Sequence, residues 1–134
     1  MNAGLYIHFP FCKSKCIYCD FYSIVAKPDL INRYFRNVLI EADLYSRHEF
    51  FGKQTFQTIY IGGGTPSLLS PEHISQLLEF LHDKFVFKDD VEITVEVNPE
   101  SSSVEKLLAF YKAGVNRLSI GVQSFSEREL QLLS

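Results

Sequence analysis

The sequence has few cysteines, no long apolar run and no excess of basic residues. Its three cysteines lie between Cys12 and Cys19, and so small and odd a number argues against a disulfide framework. No apolar run is long enough to span a bilayer, and Met1 to Gly4 lack the basic and apolar regions of a signal peptide. We therefore expect a cytosolic chain, in which clustered thiols stay reduced and bind metals or act in catalysis.

The 134 residues carry a formal net charge of −3, and 46% of them are hydrophobic and 22% charged. This length fits one domain, and the composition is that of a globular chain rather than a disordered one. A weakly acidic chain lacks the basic footprint of a general nucleic-acid-binding protein, so we expect no nucleic-acid partner.

Strand, loop and helix patterns repeat along the chain, which predicts a parallel α/β architecture. Alternating residues predict strands at about 5–9, 55–61, 91–97 and 117–123. The first helix is predicted at about 29–50, and its spaced apolar residues are Ile31, Phe35, Val38, Ala42 and Tyr45.

The later helices have recognisable ends. Ser70 is a good N-cap and Pro71 suits the first helical position, and the stripe predicted to be buried is Ile74, Leu77, Leu78, Leu81 and Phe85. The third helix follows Ser103 and is predicted to end at Gly114, burying Val104, Leu107, Leu108 and Tyr111. A capping box of Ser126 and Glu129 predicts a fourth helix.

The sequence stops at Ser134, a few residues into the fourth predicted helix. The leucines of that helix would have little to pack on, and the sheet would keep an open edge. We therefore expect residues 1–134 to be the N-terminal portion of a larger domain, with about three and a half β/α units.

Polar side chains occupy one face of the first, third and fourth strands, and aliphatic side chains occupy the other. A parallel sheet covered on both faces is normally hydrophobic throughout, and a closed eight-stranded barrel is filled with branched side chains. The polar face therefore predicts a lumen wide enough for a ligand. Its residues are Tyr6, His8, Glu92, Thr94, Glu96, Arg117, Ser119 and Gln123.

Cys12, Cys16 and Cys19 directly follow the first strand, at the end where α/β barrels place their active sites. Thiolates bind iron–sulfur clusters, and three cysteines leave one iron of a four-iron cluster open to an outside ligand. Lys13 and Lys15 would favour thiolate formation.

A zinc site and ordinary loop cysteines are the alternatives for these thiols. Structural zinc prefers four ligands in paired spacings. His8 is a possible fourth ligand, but it lies on a strand four residues before Cys12.

The spacing Cys-x3-Cys-x-aromatic-Cys after a first strand resembles the signature of the radical-SAM superfamily. Further segments are similar, in the same order, to the branch that contains oxygen-independent coproporphyrinogen III oxidase (HemN) and the heme chaperone HemW. They are LYIHFPFC (5–12), GGGTP (62–66), EVNPE (96–100) and RLSIGVQSF (117–125). The resemblance covers the whole chain. It implies the N-terminal part of a partial (β/α)6 TIM-like barrel, with parallel strands and outer helices.

The resemblance also implies a cofactor set and its ligands. It implies a [4Fe-4S] cluster held by Cys12, Cys16 and Cys19, with S-adenosylmethionine (SAM) bound at the open iron. Glycines allow close backbone approach to a ligand, and a carboxylate accepts hydrogen bonds from its hydroxyl or amino groups. The implied SAM contacts are Tyr6, Tyr18, Gly63, Gly64, Thr65, Pro66, Glu96 and Gln123.

Without the resemblance, these residues have plainer interpretations. A glycine run is often only a tight turn after a strand. Glu96 fits a solvated charge at a strand end, and Tyr6 and Tyr18 fit core aromatics.

Within the branch, one local difference separates the two activities. The oxidase continues after its third cysteine with Gly-Cys, whereas Asp20 and Phe21 follow Cys19 here and there is no fourth cysteine. This segment resembles the chaperone members. We therefore expect a HemW-like protein that binds the cluster, SAM and heme or a porphyrin, and takes electrons from a separate donor protein. Coproporphyrinogen oxidation through a 5′-deoxyadenosyl radical and an inactive fragment stay open as alternatives.

Overall fold

The computed structural model describes residues 3–133. Its strands, in chain order, are β1 (Ala3–Phe9), β2 (Phe11–Cys12), β3 (Ile24–Val25), β4 (Thr55–Gly63), β5 (Val86–Val97) and β6 (Arg117–Ile120). Its helices are α1 (Pro28–Ser46), α2 (Pro71–Lys84), α3 (Val104–Lys112) and α4 (Glu127–Leu133), with 3-10 turns at Pro66–Leu68 and Pro99–Ser101. Within residues 3–133, none of these helices is both long and apolar enough to cross a membrane.

Four strands form one parallel sheet in the order β1-β4-β5-β6. The register aligns Ile7 with Ile61, Ile61 with Val95, and Val95 with Leu118. The helices cover the aliphatic face and bury it in one hydrophobic core. Among its members are Phe35 of α1, Leu77 and Leu81 of α2, and Phe110 of α3. The predicted parallel α/β architecture with outer helices is confirmed.

The start of α2 follows the predicted capping chemistry. Ser70 has extended backbone, and its hydroxyl accepts a hydrogen bond from the backbone N–H of His73 at 3.3 Å. Pro71 occupies the first turn, where no intrahelical donor is needed. The whole predicted stripe of α2, from Ile74 to Phe85, is buried.

Several element boundaries differ from the predictions, and three of them differ by three residues or more. Helix α1 ends at Ser46 because the chain turns there, with the Gly52 amide bonded to the His48 carbonyl. Strand β5 begins at Val86, which pairs with Thr55 before an irregularity in the register. The three consecutive charged residues 88–90 interrupt the alternation of apolar and polar residues, so the pattern did not predict this early part of the strand. Strand β6 ends at Ile120, before the positive φ of Gln123.

Helix α3 buries a different face from the predicted one. Phe110 is fully buried and Leu107 is partly buried, whereas Val104, Leu108 and Tyr111 are 69%, 53% and 71% exposed. Apolar residues surround much of this helix, so its pattern fits two overlapping stripes. Packing on α2 and the sheet selects the stripe that contains Phe110. Gly114 ends the helix with φ 114°, as predicted.

Helix α4 begins at Glu127, directly after Ser126 as predicted, and the Ser126 carbonyl accepts from the Leu130 amide at 3.0 Å. The carboxylate of Glu129 accepts a hydrogen bond from the hydroxyl of Ser124. The same hydroxyl accepts from the backbone N–H of Ser126 at 3.0 Å. The helix start is therefore as predicted, but Ser124 bonds to both the Glu129 carboxylate and the Ser126 amide, which a capping box would pair with each other.

Candidate functional site

Loops from four strands meet at one edge of the sheet. Because all four strands are parallel, their carboxyl ends lie side by side, which is where α/β folds place ligands. The loops enclose a cleft of about 980 Å³, here called the strand-end cleft. It is lined by residues from the segments 12–21, 63–68, 98–101 and 121–123, and by Leu130 and Leu133.

The strand-end cleft brings most of the predicted site residues together. Those that line it are Cys12, Cys16, Tyr18, Cys19, Gly63, Gly64, Thr65 and Gln123. A smaller cavity of about 220 Å³ shares part of this lining and adds Pro66 and Glu96. Tyr6 lines neither of these two cavities and is 60% exposed. Its ring centroid is 6.0 Å from that of Tyr60, which contacts Glu96.

The cysteine loop is held at both of its ends. Cys12 belongs to β2 and pairs with Val25 of β3, and its carbonyl accepts from the Ala26 amide at 2.8 Å. The Cys19 amide donates to the Cys16 carbonyl at 3.2 Å, which forms a turn. All three cysteines are free thiols, with Cys16 exposed and the other two partly buried. The paired ends leave the thiols on a loop that faces the cleft.

The glycine loop lies directly against Cys12. The Gly64 amide donates to the Phe9 carbonyl at 2.7 Å, and the Thr65 amide donates to the Phe11 carbonyl at 2.8 Å. A Cβ added at Gly64 would lie 2.7 Å from the Phe11 carbonyl oxygen and 3.0 Å from Cys12 Sγ. Only glycine therefore permits this approach of the two loops.

The donor set around the cleft fits an iron–sulfur cluster. A cubane takes one thiolate on each of three irons, so its ligands surround a space instead of meeting at one point. Tetrahedral zinc requires convergent ligands, and within residues 3–133 no three His, Cys, Asp or Glu side chains converge on one ion position. The three free thiols border a single open cleft, and they supply the three thiolates that a four-iron cluster with one open iron requires.

Both oxygens of the Glu96 carboxylate accept hydrogen bonds from β4. The Gly63 amide donates to Oε2 at 2.9 Å, and the Tyr60 hydroxyl donates to Oε1 at 2.6 Å. The φ of Gly63 is 118°, a conformation that favours glycine. A Cβ added at Gly62 would lie 3.0 Å from the Glu96 carboxylate. These contacts hold Glu96 at the carboxyl end of the sheet.

Tyr60 was not among the residues predicted from the sequence. It alternates with the buried Ile59 and Ile61, so it lies on the polar face of β4. The same period-two pattern that identified the polar faces of the other strands would have identified Tyr60.

Hydrogen bonds and burial raise the pKa of three tyrosines around the site. A hydrogen bond to the Glu96 carboxylate raises the pKa of Tyr60. A hydrogen bond to the Cys16 sulfur raises the pKa of Tyr18. Burial, followed by the charge of Glu96, raises the pKa of Tyr6. All three phenols therefore stay protonated at neutral pH and act as hydrogen-bond donors.

His8 connects β1 to the cysteine loop. Its Nδ1 is 3.0 Å from the Tyr6 hydroxyl, and its Nε2 is 3.3 Å from the Tyr22 carbonyl. A Cβ added at Gly63 would lie 2.7 Å from the His8 ring. His8 therefore contacts Tyr6 of β1, Tyr22 of the cysteine loop and Gly63 of β4, and these contacts hold it on the polar face of the sheet.

Residues 6–134 match the Radical SAM superfamily, and the chain belongs to this superfamily. It is similar to "Heme chaperone HemW" of Haemophilus influenzae, at 41% identity over 133 residues. That alignment covers 97% of this chain and 35% of the relative. It is also 41% identical over 132 residues to "Radical S-adenosyl methionine domain-containing protein 1, mitochondrial" of Bos taurus, covering 98% of this chain and 29% of that protein.

Among solved structures, the fold matches coproporphyrinogen III oxidase (HemN) from Escherichia coli, described as a radical SAM enzyme. The TM-score is 0.83 at 33% sequence identity, over 97% of this chain and 30% of that chain. The match confirms the predicted fold class, the N-terminal part of a TIM-like barrel. The chain spans about a third of the length of these relatives.

Proposed function

We propose that this chain is the N-terminal part of a HemW-type heme chaperone that binds a [4Fe-4S] cluster and SAM. One observation carries the proposal. Three free thiols, the glycine loop and Gln123 line a single cleft at the carboxyl ends of four parallel strands. Similarity to HemW supports the chaperone assignment.

In this proposal, Cys12, Cys16 and Cys19 hold three irons of the cluster. Lys13 also lines the strand-end cleft. When bound, the reduced cluster supplies the electron that cleaves a sulfur–carbon bond of SAM. The surrounding residues bind SAM, orient it and limit the access of water.

The glycine loop is the proposed binding site for the methionine end of SAM. Gly64 lies against Cys12, so a ligand at the open iron would contact the backbone of Gly64 and Thr65. Glu96 accepts two hydrogen bonds, and each carboxylate oxygen has a further lone pair for the hydroxyl or amino groups of SAM. The remaining proposed SAM contacts are Tyr18, Pro66, Gln123 and Tyr6. The ring of Tyr6 packs near that of Tyr60.

Heme or a porphyrin is the proposed second ligand of the whole protein. The relative's name supports a heme chaperone, and Asp20 and Phe21 after Cys19 differ from the Gly-Cys of the oxidase. No residue of this chain is assigned to heme. We also propose a cytosolic location and a separate one-electron donor.

Coproporphyrinogen III oxidation is a second candidate function, because the fold matches HemN at a TM-score of 0.83. Anaerobic incubation with coproporphyrinogen III separates the two functions. Decarboxylated product would support the oxidase, whereas heme binding under reducing conditions without turnover would support the chaperone.

The first experiment is anaerobic reconstitution with iron and sulfide, followed by EPR of the reduced protein with and without SAM. We expect a [4Fe-4S] signal that shifts on addition of SAM and is lost in Cys12→Ala, Cys16→Ala and Cys19→Ala. Ser14→Ala is the matched control, because Ser14 lies on the same loop and lines the same cleft.

A parent chain that folds but takes up no cluster would contradict the proposed site. The same reconstitution on a longer form of the chain then distinguishes a wrong assignment from a fragment too short to hold the loop. A non-cooperative thermal transition of residues 1–134 would support the inactive-fragment alternative.

A further inference from the structure

The two loops behind the proposed SAM site are joined through Ser67. This residue lies in the 3-10 turn that follows Thr65, and its side chain is fully buried. Its hydroxyl accepts from the Asn98 backbone N–H at 3.0 Å and hydrogen-bonds to the hydroxyl of Ser101. Asn98 and Ser101 belong to the loop after β5. Ser67 therefore links the loop after β4 to the loop after β5.

Lys106 of α3 adds a charged contact to the same link. Its ammonium group donates to the Ser67 carbonyl and, at 3.3 Å, to the Ser101 carbonyl. These carbonyls belong to two different 3-10 turns, and carbonyl ends of helical turns attract cations. Lys106 is partly buried, and burial lowers its pKa. Lys106 of α3 thus joins two loops whose contact residues, Ser67 and Ser101, are 34 positions apart in the sequence.

Lys106 is not in the lining of the strand-end cleft, but the loops that it joins are. Thr65 and Leu68 line the cleft and lie in the same loop as Ser67, whose carbonyl Lys106 contacts. Ser101, whose carbonyl is the second contact, lines the cleft itself. Thr65 and Asn98 also line the smaller cavity beside Glu96. Movement of one loop relative to the other would therefore change the width of both cavities.

We infer that Lys106 is a positioning residue that sets the spacing of the two loops and thereby the affinity for SAM. The inference rests on the proposed function and extends it to a residue outside the cleft. We expect cluster binding to be independent of Lys106, because Cys12 is anchored by its pairing with Val25 of β3.

The test compares Lys106→Met with Lys106→Arg and Lys112→Met in the full chain after cluster reconstitution. Methionine keeps much of the aliphatic stem and removes the charge. Arginine keeps a cation with several donors. Lys112 lies on the same helix and is exposed, so Lys112→Met is a matched loss of charge without the two carbonyl contacts.

We expect Lys106→Met to weaken SAM binding about tenfold, equivalent to about 1.4 kcal/mol, with iron content and cluster EPR intensity unchanged. Lys106→Arg should stay within about threefold of the parent affinity, and Lys112→Met should match the parent. Unchanged SAM affinity in Lys106→Met would overturn the inference. So would a parallel loss of cluster content and thermal stability, which would indicate a general structural role.

Amide hydrogen exchange tests the same inference independently of SAM. The Asn98 amide is bonded to Ser67, so Lys106→Met should accelerate its exchange and Lys112→Met should not. If the parent chain binds no SAM, the proposed function fails, and the exchange rates still decide whether Lys106 holds the loops. Equal Asn98 exchange in the two variants would refute the positioning role.

Discussion

The hydroxyl of Tyr60 donates a 2.6 Å hydrogen bond to the carboxylate of Glu96 on the neighbouring strand. The second oxygen of that carboxylate accepts from the Gly63 amide. Glu96 is thus held by one side-chain donor and one backbone donor, both from β4. This arrangement orients the Glu96 carboxylate of the proposed SAM site before any ligand binds.

Tyr60→Phe should weaken SAM binding by removing the side-chain donor to Glu96. A hydrogen bond to a charged group contributes about 1.5–3 kcal/mol to stability. Because this bond is present without SAM, only part of that energy enters the affinity, and we expect a loss of at most about tenfold. Calorimetric titration with SAM under anaerobic conditions measures it. Tyr111→Phe is the control, since Tyr111 is 71% exposed on α3. Equal affinities in the two variants would contradict the proposed role of Glu96.

Gly64→Ala should abolish cluster binding, because the added methyl group would meet the Phe11 carbonyl and Cys12 Sγ at 2.7 and 3.0 Å. Iron and sulfide analysis after reconstitution measures the loss. Gly114→Ala is the comparison: its Cβ would have ordinary contacts, but its φ of 114° is unfavourable for alanine. That variant should lose about 1 kcal/mol of stability and keep its cluster. Full iron content in Gly64→Ala would show that the glycine loop can move.

High pH should destabilise the cluster-free chain through its hydrogen-bonded tyrosines. The pKa of Tyr60 is raised in the fold by Glu96, so its contribution is complete below the unfolded pKa of about 10. The contribution is lost as the pH rises above that value, since the unfolded chain then releases the proton first. The free energy of unfolding, measured with urea from about pH 9 to about pH 11, should fall less in Tyr60→Phe. If the free energy of unfolding fell equally with pH in the parent chain and in Tyr60→Phe, the hydrogen bond between Tyr60 and Glu96 would be contradicted.

Phe110→Ala should cost about 3–5 kcal/mol, the usual effect of removing a fully buried phenylalanine. The neighbouring Tyr111→Ala should change stability by no more than about 0.5 kcal/mol, because Tyr111 is mostly exposed. Urea unfolding of both variants determines which face of α3 packs inward. The opposite order of the two effects would restore the face predicted from the sequence.

The predictions were correct where neighbouring residues alone determine the structure. Ser70 and Pro71 begin α2 as expected because a cap and a first-turn proline act on neighbouring backbone groups. The orientation of α3 could not be predicted, since its apolar residues fit two stripes and packing on α2 selects one. The extension of β5 to Val86 depends on pairing with Thr55, a residue far away in sequence.

For the candidate site too, the local features could be predicted from the sequence and the contacts between distant residues could not. Cysteine spacing and the glycine run are local patterns, and both were recognised from the sequence. The contacts that join distant segments were not, because Tyr60 to Glu96 and Lys106 to Ser67 join residues more than thirty positions apart. A tyrosine or lysine in such a position has no local feature that reveals its partner.

The sequence by itself determined the superfamily, the parallel α/β pattern and the three thiols, because periodicity and motif spacing are properties of neighbouring residues. The tertiary structure alone decided which polar groups meet. Parallel pairing aligns the carboxyl ends of β1, β4, β5 and β6, which brings Gly64 against Cys12 and Gly63 against Glu96. These contacts depend on strand order and register, and side chains distant along the chain become neighbours only when the sheet has formed.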